Sequence, residues 1–166
     1  MSTDAIVMLK DDHKEIKKLF RDFRSAGEGA DAHKEKVVKA AIELLTVHTY
    51  LENEVMYPAV RRLLPEVEDD VLESYEEHHV ADVLCMELWT MKGSDEHFDA
   101  KATVLMENVE HHIEEEEGDW FPKVRQGLGR NQLADLGKRM QDLRADAPRK
   151  PTQPSALKKA LDALRA

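Results

Sequence analysis

Two short stretches combine residue types and spacing that suit metal chemistry: His48-Thr-Tyr-Leu-Glu52 and His112-Ile-Glu-Glu-Glu116. On an α-helix, residues four apart share a face with Cβ atoms about 5 to 6 Å apart, so an imidazole and a carboxylate can converge on one ion. One such pair carries little weight alone. Eight histidines and 34 acidic residues among 166 positions produce about 1.6 such spacings by chance. Context separates these two from chance. Each histidine stands ten residues before a proline, Pro58 or Pro122, and each proline follows an aromatic residue, Tyr57 or Phe121.

The duplication extends upstream. Asp11-Asp12-His13 and Glu76-Glu77-His78 lie 65 residues apart, close to the 64 between His48 and His112. The apolar residues Ile6, Ile16, Phe20 and Phe23 map at that offset onto Val71, Ala81, Cys85 and Leu88, and only Leu9 meets a polar residue, Ser74. The pattern implies two helix pairs related by a pseudo-two-fold axis, each giving one lone histidine and one His-x-x-x-Glu. The candidate ligands are therefore His13, His48, Glu52, His78, His112 and Glu116. Four nitrogens and two bridging carboxylates fill about eight of the roughly twelve positions on two octahedral metals, which leaves room for a small ligand. Iron is the first choice for such a donor set and manganese the second, because zinc prefers about four ligands.

On the third helix His78 and His79 are adjacent and point about 100° apart. Register with His13 favours His78, while Leu72, Tyr75, His79, Asp82, Met86 and Trp89 form a rival stripe. His111 with Glu115 competes on the fourth helix but fails the proline alignment. Glu54, Glu114, Glu115 and Glu117 read as a solvated acidic face from which one could swing in as an extra ligand or proton relay, His33 and His97 as exposed, and Tyr50, Tyr57 and Tyr75 as packing residues, with a tyrosine reaching the metal or its bound oxygen as the lesser alternative. No separate acid–base residue stands out.

The elements that must position these groups read as helices throughout, because Gly and Pro are few and no segment alternates with period two for long. The first is expected at about 3–25, capped by Ser2 or Thr3, with Ile6, Leu9, His13, Ile16, Phe20 and Phe23 at alternating spacings of three and four. The second spans about 31–64 with an adjustment at Pro58, the third 66–92, and the fourth 94–126 with a second adjustment at Pro122. Short links make this an all-α, antiparallel up-down four-helix bundle over residues 1–126. An additional helix follows within 127–145, at about 131–144, and then a Pro-rich linker and short basic amphipathic tail over 146–166 that could dock a protein partner.

Composition closes off several classes of function. A formal net charge of -10 opposes nucleic-acid binding and anionic membrane surfaces. No apolar run approaches the roughly 18 residues needed to span a bilayer, and the N-terminus lacks a signal-peptide layout, so a cytoplasmic protein is expected. The single cysteine, Cys85, excludes an intrachain disulfide and a Cys-rich metal site. It reads as a packing residue.

The segments DHKEIKKLF at His13, HTYLENEVMYP at His48, EEHHVADVL at His78 and HIEEEEGDWFP at His112 resemble the hemerythrin-like, or HHE cation-binding, family over about three quarters of the chain. Oxygen-carrying hemerythrins use five histidines, with HxxxH on the third helix and HxxxxD on the fourth. Here those positions hold Asp82 and Glu117. The departure removes one nitrogen ligand and weighs against reversible oxygen carriage. The H, HxxxE, H, HxxxE order instead resembles the non-oxygen-carrying branch. That resemblance implies a non-haem pair of irons, oxo- or hydroxo-bridged, reacting with hydrogen peroxide or nitric oxide as a catalase-like or peroxidase-type oxidoreductase. The alternative it implies is a sensor that binds iron or dioxygen without turnover.

Overall fold

The computed structural model of the chain describes residues 3–151. They form helix α1 (Ala5–Ser25), α2 (Asp31–Leu51), α3 (Tyr57–Leu63), α4 (Glu68–Thr90), α5 (Phe98–Glu115), α6 (Phe121–Gly127) and α7 (Arg130–Arg144). A single π-helical turn, Glu52–Met56, joins α2 to α3, and a second, Glu116–Trp120, joins α5 to α6. The expected bundle is present: four rods, α1, α2–α3, α4 and α5–α6, stand in a ring, with α1 against α2 and α5, and α4 against α5 and α2.

The two π turns answer the two internal prolines. Proline donates no backbone hydrogen bond and its ring crowds the carbonyl four residues back, so an unbroken α-helix through Pro58 or Pro122 is costly. The chain instead inserts one residue. Tyr57 N–H donates to Glu52 O and Phe121 N–H to Glu116 O, each five residues back. In an ordinary α-helix residues five apart point about 140° from each other. The wider turn brings Tyr57 onto the face of Glu52, and Phe121 onto that of Glu116.

Three helix ends differ from expectation. The cap of α1 is Asp4, whose Oδ1 accepts Val7 N–H at 3.1 Å and whose carboxylate also takes Arg125 at 3.0 Å. The fourth rod begins at Phe98 rather than near 94, because Asp95 ties residues 92–98 into turns: its Oδ2 accepts Lys92 N–H at 2.7 Å and its carbonyl accepts Phe98 N–H at 3.0 Å. The third starts as a short 3₁₀ turn, Pro65–Val67, before α4.

The additional helix α7 packs on α1, α2 and the first π turn, burying Leu133, Leu136 and Met140. Gly137 makes that approach possible, since a Cβ there would stand 1.5 Å from the Thr3 carbonyl oxygen. From residue 152 onward the expected tail, and with it the expected docking of a partner, lies outside the described residues. No helix among the described residues is long and apolar enough to cross a membrane.

The apolar interior is divided in two. One cluster gathers Ile6, Leu9, Leu51, Met56, Val71 and Phe121 with the face of α7. The other gathers Ile16, Phe20, Ile42, Cys85, Leu105 and Ile113. Between them each rod contributes buried polar side chains: His13, then His48 and Glu52, then His78, then His112 and Glu116. Burying six such groups in one layer is costly unless each finds a partner.

Candidate metal centre

All six sequence-derived candidates reach this layer, and none is more than 5% exposed. His13 Nε2 lies 3.2 Å from Glu116 Oε2, and His48 Nε2 3.4 Å from Glu52 Oε1. On the opposite side His78 Nε2 lies 3.1 Å from Glu52 Oε2, and His112 Nε2 3.3 Å from Glu116 Oε1. Each carboxylate thus offers one oxygen to the His13–His48 side, here the first position, and one to the His78–His112 side, the second. Ligand atoms of His13, His48, Glu52 and Glu116 all lie within 4.8 Å of one another, as do those of Glu52, His78 and His112.

The outward nitrogens fix the state of the inward ones. His13 Nδ1 lies 2.7 Å from Glu117 Oε1, His48 Nδ1 3.1 Å from Asp12 Oδ2, His78 Nδ1 2.9 Å from Asn53 Oδ1, and His112 Nδ1 2.8 Å from Glu77 Oε2. Every partner is an oxygen acceptor, so each Nδ1 carries a proton and a neutral ring turns its Nε2 lone pair inward. Those lone pairs face carboxylate oxygens and one another, with His78 Nε2 and His112 Nε2 only 3.1 Å apart. At the first position His13 Nε2, Glu52 Oε1 and Glu116 Oε2 are buried and lack any hydrogen-bond partner. The 3.2 Å approach of His13 to Glu116 is therefore close without being a hydrogen bond. Lone pairs crowded together in a buried layer call for a cation, and the residues fit one at each position.

Protons stand in where no metal does. Burial opposes charging of His48, yet the Glu52 and Asp12 carboxylates push its pKa up to about 10. Burial likewise opposes charge on His112, and Glu116, Glu77 and Glu52 outweigh it, raising the pKa well above the usual value. Glu116 is held well below the ordinary carboxylate range: burial opposes this, but His112 and His13 prevail. Glu52 is lowered too, against burial and the Glu116 charge, by His48 and His78.

Tyr57 corrects its reading as a packing residue. Its hydroxyl is buried 2.8 Å from Glu116 Oε1, 3.1 Å from His78 Nε2, and 3.4 Å from both His112 Nε2 and Glu52 Oε2. Those are the four inward atoms of the second position. Its repeat mate Phe121 has no hydroxyl and stacks on His13 with centroids 6.0 Å apart. Ser74, the one polar break in the repeated stripe, gives its hydroxyl to the Asp70 carbonyl at 3.0 Å, whereas its mate Leu9 is apolar. Burial, and then the Glu116 and Glu52 charges, hold the phenol pKa well above its usual value.

The supporting acceptors also obey the repeat. Asp12 and Glu77 each precede a lone histidine and accept from the next long helix's His48 or His112. Asn53 and Glu117 each follow a buried glutamate and accept from the other hairpin's lone histidine. Glu117 is thus no bystander on an acidic face. The rival register is at the surface: exposed His111 pairs with Glu115 at 3.0 Å. The clustered set includes His78 and not His79.

Beside His48, His78 and His112 lies a cavity of about 10 Å³ walled mainly by Ile16, Leu45, Ala81, Val109 and Ile113. It has room for one water-sized molecule.

Residues 4–124 match the family described as Hemerythrin HHE cation binding domain. Among solved structures, the crystal structure of a hemerythrin HHE cation binding domain-containing protein, the Rv2633c homologue from Mycobacterium kansasii, aligns with a TM-score of 0.71 at 21% identity, covering 86% of each chain. At that identity the likeness speaks for the fold. A comparison with curated proteins finds no match.

Proposed function

We propose that this chain, which belongs to the hemerythrin HHE cation-binding family, holds two iron ions between its paired carboxylates and turns over a small oxidant, hydrogen peroxide first and nitric oxide as a second substrate. The observation that carries the reading is the division of oxygens, with Glu52 and Glu116 each giving one to His13–His48 and the other to His78–His112. A single ion would leave half of those donors unused. Imidazole and carboxylate together in a helical bundle suit iron, with manganese the nearest competitor.

The bound pair would supply the electron changes that cleaving an O–O bond requires. The protein's own contribution is legible in its side chains. Neutral imidazoles, locked by their outward Nδ1 partners, keep their Nε2 atoms aimed inward. Tyr57 keeps its proton at Oη beside Glu116 and is placed to give it to an oxygen seated in the layer, the role for which no acid–base residue stood out in the sequence. The apolar walls of the adjoining cavity exclude substrates larger than a few atoms.

The test loads full-length protein with ferrous iron, removes the excess, counts iron per chain, and follows oxygen release after peroxide is added. Two irons per chain with sustained oxygen release support the proposal. Two irons without turnover favour a sensor, and no iron uptake ends both readings.

A further inference from the structure

The rods of the bundle supply every side chain of the candidate metal centre described above, yet one more arrives from outside them. Arg144, the last residue of α7, lies beyond the residues that match the family. Its Nη1 stands 3.2 Å from Asp12 Oδ1 and its Nη2 2.8 Å from Asp12 Oδ2. The same Oδ2 accepts from His48 Nδ1 at 3.1 Å. A guanidinium fork on both oxygens of a carboxylate fixes the plane of that carboxylate as well as its position. Asp12 is only 12% exposed, which limits screening of the pair.

The repeat supplies an internal comparison. Glu77, the mate of Asp12, supports His112, and its carboxylate lies within 4.8 Å of Glu115 and His111. A cation therefore braces the acceptor behind His48, and a second acid flanks the acceptor behind His112. The seat of α7 does not depend on Arg144, because Gly137 against Thr3 and the buried Leu133, Leu136 and Met140 already fix it.

From this we infer that Arg144 is a positioning residue for the first metal position: through Asp12 it orients His48, and so sets how tightly that position holds its metal, while the second position is indifferent to it. The inference rests on the two-metal reading above. Acceptors directly behind a ligating imidazole are typically worth about 10- to 100-fold in metal affinity. Arg144 stands one contact further out, so a loss of roughly 3- to 10-fold is expected on its removal.

The experiment follows iron release to a chelator from full-length wild-type protein and from Arg144→Gln, Arg144→Lys, Asp12→Asn and the Arg144→Gln/Asp12→Asn double variant, with Mössbauer spectra of the loaded forms. Arg144→Gln is expected to release one of its two irons roughly 3- to 10-fold faster, with the other at the wild-type rate and one quadrupole doublet altered. Arg144→Lys should recover part of the loss, and Arg144→Gln should add nothing in the Asp12→Asn background. Equal acceleration of both irons, full additivity in the double variant, or wild-type behaviour of Arg144→Gln in a protein that holds two irons overturns the inference alone. Wild-type protein that takes up fewer than two irons removes the two-metal reading and this inference with it.

Discussion

Replacing Tyr57 with phenylalanine removes one oxygen from the layer and leaves the ring to fill the same space. Wild-type Tyr57 donates a hydrogen bond to the ionised Glu116 at 2.8 Å, in a site that is 0% exposed. A hydrogen bond to a charged group contributes roughly 1.5 to 3 kcal/mol, and each kcal/mol moves the melting temperature of a chain this size by about 2 to 4 °C. Metal-stripped Tyr57→Phe protein should therefore melt about 3 to 12 °C below metal-stripped wild type. In the iron-loaded pair the gap should narrow, because a metal held by Glu116 would take up the carboxylate oxygen that the phenol serves in its absence. Peroxide turnover should fall on the order of 10²-fold if Oη donates the proton. Calorimetry of both forms and oxygen release, normalised to iron content, check these outcomes. Equal melting of the stripped proteins, or loss of iron from both positions in the variant, would refute the reasoning. A visible phenolate-to-iron band in wild type that vanishes in Tyr57→Phe would identify Oη as a ligand instead of a proton donor.

Because each buried glutamate spans both positions, Glu52→Ala and Glu116→Ala should each lose the pair, whereas surface Glu115→Ala should leave iron content unchanged, as metal analysis will report. Loading metal-free protein with ferrous iron near neutral pH should release protons, since His48, at about 10, and His112 must give theirs up; a weakly buffered indicator titration measures this. Without metal, His48 has a raised pKa and contributes stability that is complete below its ordinary 6.5 and lost as pH rises through about 10. Glu116, depressed, contributes stability present above 4.5 and lost as pH falls, so denaturant melts of stripped protein should show greatest stability between those ordinary values and decline on either side. Gly137→Ala forces a Cβ against the Thr3 carbonyl and should cost about 1 to 3 kcal/mol or unseat α7, visible as a lower melting temperature.

Much of the centre was legible because duplication converts a weak spacing into a constrained one. His48 and His112 sit at the same distance from a proline, and that register selected Glu116 over Glu115 and His112 over His111. The rods were legible for the ordinary reason that Ile6 to Phe23 and their mates form helical stripes. Tyr57 could not be singled out among the three tyrosines because five residues from Glu52 is the wrong face of an α-helix, and only the π turn before Pro58 brings the two together. The proline announced an irregularity without saying which. Asp12, Glu77, Asn53 and Glu117 escaped for a different reason. Each neighbours one of the six buried candidates in sequence and so points away from it on its own helix, meeting an imidazole only when an adjacent rod presents one. The acid before each lone histidine and the polar residue after each buried glutamate were the available signals. The late start of α5 reflects Asp95, whose side chain caps a turn that hydrophobic spacing does not register.

The central claim is that two metal ions share Glu52 and Glu116. Crystals of the iron-loaded full chain, with anomalous data collected on both sides of the iron absorption edge, test it most directly. The account predicts two peaks per chain in the buried layer, one beside His13 and His48 and the other beside His78 and His112. A single peak, peaks beside His111 and Glu115 at the surface, or an empty layer in iron-loaded crystals would contradict it.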